Sequence, residues 1–167
     1  MIKIDINNEM IESAKSKARD LGKINNSITK GKGNLAGFLG EEVAKSVLGG
    51  SLNNTYQHDL TTPDGITYDV KTKRCTSAPK EFYECSVANY NTKQQCDRYV
   101  FVRIKNNKFD IKTSIKSGQY EAWYLGWLDK KEYFDKAVFH KKGEVDSNNG
   151  FTFKADCYNV PISELNL

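Results

Sequence analysis

Between residues 59 and 71 the chain places residue types that suit phosphate chemistry at short, regular spacing. Residues 66–74, ITYDVKTKR, read as a strand. Alternate residues of a strand share a face. Ile66, Tyr68, Val70 and Thr72 then form one side, apolar at its centre, while Thr67, Asp69, Lys71 and Lys73 form the other. A carboxylate and an ammonium thus project together. On its own this is also how the solvated face of a half-buried strand reads. The preceding residues sharpen the choice. Thr62-Pro63-Asp64-Gly65-Ile66 fits a turn pattern, and a type I turn with Gly65 left-handed gives a three-residue hairpin loop. Thr62 then pairs with Ile66, and counting back sets Asp59 opposite Asp69. A two-residue loop would instead send Asp59 to the other face.

Like charges directly opposite destabilise a sheet, and a divalent cation would neutralise them. Hard cations such as Mg²⁺ take carboxylate oxygens, keep several waters and bind phosphate oxygens. They also activate water as a nucleophile, and a neighbouring lysine can orient that water and stabilise developing negative charge. Asp59, Asp69 and Lys71 together therefore suit hydrolysis of a phosphodiester.

With a helix upstream and an αβββαβ order of elements, this arrangement resembles the PD-(D/E)XK nuclease superfamily and its restriction-endonuclease-like fold. The matching residues are Asp59 in HDL and Asp69-Val70-Lys71 in YDVKTK; Gly37-Phe38-Leu39-Gly40-Glu41 is similar to the helix that carries an additional acid in many members. The resemblance spans about residues 35–104. It implies that Asp59 and Asp69 are metal ligands, with the Val70 carbonyl a further one. Lys71 is the catalytic lysine it implies, and Glu41 a further ligand or the holder of a metal-bound water. Glu42 is the alternative to Glu41, because helix phase does not separate neighbours. The cofactor implied is Mg²⁺ or Mn²⁺, the substrate DNA, and the activity that of an endonuclease. The size resembles small bacteriophage, mobile-element and junction-resolving nucleases. Two departures stand out: the acid before x-Lys is Asp where Glu is commoner, and the literal Pro63-Asp64 pair sits at the hairpin tip. A chain that kept this fold as a non-catalytic DNA-binding or protein-interaction module is the alternative, although acids near phosphates would weaken binding.

Other residues invite weaker readings. Lys30 and Lys32 lie in a glycine-rich basic stretch, where little side-chain bulk and added charge suit a phosphate backbone. Lys73 and Arg74 extend the Asp69 strand and could touch phosphates. Gln95 and Tyr99 have the Gln-x-x-x-Tyr spacing of one exonuclease branch, but Tyr99 begins an apolar strand, which suits core packing; Gln95 could still touch DNA. His58 and His140 are not expected to bind metal. Trp123 and Trp127 share a face if their segment is a regular strand, and then belong to the core rather than to a base-stacking surface.

Several elements must position these groups. A helix is expected over 8–21, capped by Asn7 or Asn8, and a second over 35–48 with Leu39, Val43 and Val47 as its buried stripe. Strands are expected at 55–60, 66–74, 82–88, 98–104, 108–112, 121–128 and 151–158. A short helix or turn is expected at 91–97, and a short helix from Asp129, capping-box spaced with Glu132, to Lys136. Ser147-Asn148-Asn149-Gly150 reads as a hairpin turn. The fold class expected is α/β, a central mixed β-sheet flanked by helices with extra C-terminal strands. The organisation expected is one domain over 1–167: an N-terminal helix and basic loop to residue 34, a core at 35–104 and an extension at 105–167.

Composition bounds the rest. The chain has 167 residues, 38% of them hydrophobic, with nine Tyr and eight Phe, enough for a core. A net charge of +4 permits a polyanionic partner without demanding one. No apolar run approaches a membrane span, and the first residues lack an apolar signal core, so a cytoplasmic protein with no membrane partner is expected. Cys75, Cys85, Cys96 and Cys157 form no CxxC pair and read as free thiols. A homodimer is compatible with cutting both strands of a duplex.

Overall fold

The computed structural model describes residues 1–21, 34–53, 55–105, 120–147 and 150–167. Two helices form one layer. In α1 (Asn8–Leu21) the Asn7 Oδ1 accepts the Met10 N–H at 2.9 Å, satisfying a first-turn donor. Ile11, Ala14 and Ala18 supply its buried face. Leu39 and Val43 do the same in α2 (Asn34–Leu48).

The remaining strands are β1 (Ile2–Asp5), β2 (Ser51–Leu52), β3 (Leu60–Thr61), β4 (Thr67–Cys75), β5 (Glu84–Ala88), β6 (Arg98–Lys105), β7 (Glu121–Asp129), β8 (Val138–His140) and β9 (Cys157–Pro161); α3 (Lys130–Lys136) follows β7. A mixed six-stranded sheet runs β1-β7-β6-β4-β3-β2, with only β4 and β6 parallel. A second, antiparallel sheet runs β5-β9-β8. The fold is thus α/β with a central mixed sheet, as expected.

β6 is buried at all but its end residues because both its faces are covered, and Arg103 alone breaks its apolar centre. Val100, Val102 and Ile104 join Tyr68 and Val70 under α1 and α2. Tyr99 and Phe101 face the other way, packing with Trp123, Leu125, Tyr133 and Val160 beneath the small sheet and α3. Alternation along β4 therefore sends Asp69, Lys71 and Lys73 to the side away from the helices.

Several expectations change. The strand expected at 55–60 shrinks to β3, because the Asp59 side chain, not a continuing backbone ladder, takes the next donor of β4. The third core strand, β5, leaves the main sheet to pair with β9. The segment expected as a short helix or turn at 91–97 opens with a single 3-10 turn, Asn89–Asn91, and continues as a turn at Thr92 and Lys93. The strand expected from 151 starts only at Cys157; Phe151 and Thr152 instead pair back, Asp146 N–H to Phe151 O at 2.8 Å and Thr152 with Val145, and the turn expected at 147–150 falls partly outside the described residues. β1, β2 and β8 went unread. Asp129 does not cap α3 with its side chain; its carboxylate pairs with Arg98 Nε at 2.8 Å. The strand expected at 108–112 lies outside the described residues.

Trp123 and Trp127 do not share a face. Opposite the Phe101–Val102 step of β6, β7 carries one extra residue, Leu125, beside Gly126 at φ +129°, and the alternation of β7 reverses across this bulge. Trp123 packs on the small-sheet side and Trp127 on the helical side, where the Arg98 guanidinium covers it at 3.8 Å. The four cysteines are free thiols, as expected.

Candidate active site

The hairpin between β3 and β4 forms in the register that the turn residues imply. Thr62 donates its N–H to Ile66 O at 3.0 Å, Gly65 takes φ +85°, and Leu60 and Thr61 pair with Tyr68 and Thr67. One step further back, Asp59 donates its N–H to Tyr68 O at 2.8 Å. Its Oδ2 then accepts the Val70 N–H at 2.7 Å. A strand residue points its N–H and C=O to the same edge, so the Val70 carbonyl faces that edge too.

Asp69 is 2% exposed, on the same face as Lys71, whose Nζ stands 2.6 Å from Asp69 Oδ2. The ion pair is short, yet Oδ2 accepts no well-aligned hydrogen bond. Burial raises the Asp59 carboxyl well above the usual carboxylate range. The charges of Asp69 and Glu41 and a hydrogen bond to the Asp69 carboxyl push it the same way, against the Val70 N–H. Two buried carboxyls thus adjoin one another, one tending to hold a proton.

Glu41 extends the cluster from α2. Burial raises its pKa to about 7; the Lys17 ammonium at 3.5 Å opposes this, and Glu42 and Asp69 add to it. Glu42 is committed elsewhere, accepting the Ser13 hydroxyl at 2.5 Å and pairing with Lys17 at 3.4 Å. Of the two neighbours, Glu41 is the one whose charge acts on the aspartates. Gly40 allows this approach: a Cβ there would lie 1.8 Å from Thr72 Oγ1 of β4.

Lys71 is further held by Gln94, whose Oε1 accepts from Nζ at 3.2 Å while its Nε2 donates to Tyr56 O at 2.8 Å. Gln94 was missed in the sequence, where the 91–97 segment carries no periodic signal that separates it from Gln95. Gln95 is exposed, and its backbone N–H, at 2.7 Å from Gln57 Oε1, ties the same two segments. Lys73 shares the Asp69 face. Although the residue is exposed, its ammonium is crowded, 5.7 Å from the Phe151 ring centre, and burial followed by the Arg103 charge lowers its pKa. Arg74, also exposed, falls on the opposite face of β4. Lys30 and Lys32 lie outside the described residues. His140 pairs with Glu144 at 2.9 Å, away from the cluster, and Tyr99 is fully buried in β6.

Among the described residues, no three or more His, Cys, Asp or Glu side chains converge closely enough to enclose a metal ion. What the site offers is two adjoining carboxyls, a carbonyl on the same edge and a buried carboxylate oxygen lacking an aligned donor. That set suits a hard cation such as Mg²⁺, which uses one or two carboxylates and keeps much of its water. Glu41, close enough to influence both aspartates, could hold one of those waters. No helix among the described residues is long and apolar enough to cross a membrane. No protein-family model and no curated protein sequence matches the chain.

Proposed function

We propose that this chain is a divalent-metal-dependent nuclease that hydrolyses DNA phosphodiester bonds. The observation that carries the reading is the placement of Asp59 beside Asp69, with the Lys71 ammonium 2.6 Å from Asp69 Oδ2. Without a further cation the pair is tolerated because Asp59 tends to hold a proton and Lys71 balances Asp69; for both acids to be ionised together, a second positive charge such as a divalent cation is needed.

Asp59, Asp69 and the Val70 carbonyl would hold Mg²⁺ or Mn²⁺, which when bound supplies Lewis acidity and an activated water. Lys71 then orients the attacking water and balances charge that develops on the phosphate. Gln94 keeps the Lys71 ammonium on the Asp69 face. Glu41 accepts a proton or a water hydrogen bond at the rim of the cluster. Lys73 and, beyond the described residues, Lys30 and Lys32 supply positive charge for the backbone; Arg74 and Gln95 are further contacts. The substrate is DNA, internal cleavage is the expected mode, and a homodimer would allow both strands to be cut.

One observation favours a second reading. The Lys71 ammonium is already paired with Asp69, which suits a chain that keeps the fold as a non-catalytic DNA-binding or protein-interaction module.

Purified protein incubated with supercoiled plasmid, linear duplex, single strands and a four-way junction, each with Mg²⁺, Mn²⁺ or EDTA, separates the two. Metal-dependent products that vanish in Lys71→Ala establish the nuclease. Folded protein that binds DNA in EDTA and cuts nothing with either metal establishes the module.

A further inference from the structure

The surface beside Lys71 carries two large aromatic rings in water. Tyr56 is 66% exposed and Tyr90 is 48% exposed. They project from separate segments, one leading to Asp59 and the other opening at the 3-10 turn Asn89–Asn91. Side-chain hydrogen bonds fasten those segments together: Gln94 Nε2 to Tyr56 O at 2.8 Å and Gln95 N–H to Gln57 Oε1 at 2.7 Å. Within the second segment, Gln94 donates its N–H to Asn91 O at 3.1 Å and Thr92 its N–H to Asn89 O at 3.3 Å. The other end of the Gln94 amide holds the Lys71 ammonium at 3.2 Å. The Tyr56 backbone is therefore tied through one amide to the ammonium of the candidate site. The rings are also near enough that a Tyr56 charge would raise the Tyr90 phenol, a smaller effect than burial.

We infer that Tyr56 and Tyr90 form a stacking platform for unpaired nucleotides entering the site, so that the substrate is single-stranded or locally unpaired DNA. This rests on the nuclease reading for the chemistry, but not for the binding. Exposed aromatic rings offer flat faces to bases, and a base in a duplex has its faces already stacked. An unpaired strand also brings phosphates, and the platform adjoins cations that suit them. Lys71 lies behind Gln94, and Lys93 is exposed in the second segment. Lys130 hydrogen-bonds the Gln94 carbonyl. The acids nearby, Asp59, Asp69 and Asp97, would oppose bare phosphates, which makes the contribution of base stacking decisive when no metal is present.

The test measures binding of the full chain in EDTA, where no cleavage can intervene, by fluorescence anisotropy. The probes are a labelled oligothymidylate, an abasic oligomer of equal length and a duplex of equal length. Oligothymidylate is expected to bind at least about tenfold more tightly than the abasic oligomer, since stacking distinguishes the two. Tyr56→Ala/Tyr90→Ala is expected to erase that difference, and Tyr56→Phe/Tyr90→Phe to keep it. Equal affinity for the abasic and normal oligomers overturns the platform. So does an alanine double variant that binds oligothymidylate like the native chain, the result expected if the rings serve a protein partner. Cleavage with Mg²⁺ is scored separately. A native chain that stacks selectively but never cuts would end the nuclease reading and leave the platform standing. One that cuts, but ignores the tyrosine changes in both binding and product yield, would do the reverse.

Discussion

The Asp59 carboxylate accepts the backbone N–H of Val70 at 2.7 Å, replacing a rung of the ladder that β3 would otherwise have continued. The same side chain lies beside Asp69, so the residue that ends a strand also builds the acid pair. An Asn at position 59 keeps the acceptor for Val70 and adds an amide that can donate to Asp69. Asp59→Asn is therefore expected to raise thermal stability in EDTA, by about 2–4 °C for each kcal/mol of relieved burial and repulsion. It is expected to reduce metal-dependent cleavage by roughly a hundredfold or more. Melting curves beside cleavage rates check both. Full activity with unchanged stability would remove Asp59 from the site.

Loss of protons from its buried carboxyls should make the metal-free protein less stable as pH rises. Burial lifts Glu41 from the usual carboxylate range to about 7 and lifts Asp59 in the same direction. A carboxyl whose folded pKa is raised binds more protons folded than unfolded between its two pKa values. Its contribution is complete below the unfolded pKa and is lost as pH climbs through the folded one. For Glu41 that window runs from 4.5 to about 7 and corresponds to on the order of 3 kcal/mol. Melting temperature in EDTA is thus expected to fall from about pH 5 to pH 8, and Glu41→Gln to flatten the slope. Added Mg²⁺ should stabilise most at the alkaline end, where the carboxylates are ready to bind it. A slope that Glu41→Gln leaves untouched would sink this account.

The hairpin register was legible because Pro63, Asp64 and Gly65 specify both turn type and loop length, and the register alone decides whether Asp59 meets Asp69. The partner of β5 was not. Alternation in residues 84–88 marks a strand without saying which sheet it joins, and β9, its neighbour, is distant in sequence. The split between Trp123 and Trp127 was hidden for a different reason: one extra residue at the bulge reverses alternation, and Gly126 gives no apolar signal of its own. Gln94 was missed because a single 3-10 turn carries no period from which its direction can be read. The site's charged residues were therefore readable from the sequence, while the neutral residues that orient them depend on tertiary structure.

Close packing at Gly40 predicts a coupled pair. A Cβ at residue 40 would lie 1.8 Å from Thr72 Oγ1, a buried oxygen without a hydrogen-bond partner. Gly40→Ala must push α2 away from β4, costing about 1–3 kcal/mol, and it also shifts Glu41 away from the aspartates. Thr72→Ala removes Oγ1 and Cγ2, the worst of the obstruction, and leaves only Cβ at 2.9 Å, so Gly40→Ala/Thr72→Ala should recover part of the stability lost in Gly40→Ala. A double-mutant cycle by denaturant unfolding measures the coupling. Strictly additive effects would mean that α2 does not seat on Thr72 as described.

Adjacent glutamates on α2 should fail in different ways. Glu42 is bound by Ser13 and Lys17 of α1, so its work is to dock the two helices. Removing its charge leaves the Ser13 hydroxyl with only a neutral acceptor and takes one of two carboxylates from the Lys17 ammonium, and weakening such charge-assisted contacts costs about 1–3 kcal/mol. Glu41 also feels Lys17, but its charge acts on Asp59 and Asp69 as well, and burial already favours its neutral form. Glu41→Gln is therefore expected to fold at least as stably as the native chain in EDTA and to lose about tenfold or more in cleavage rate. Glu42→Gln is expected to lower the melting temperature while retaining most of the rate per folded molecule. Cleavage assays normalised to the folded fraction distinguish the two. If Glu42→Gln instead abolished cleavage with its stability intact, the helix acid of the site would move one position along α2.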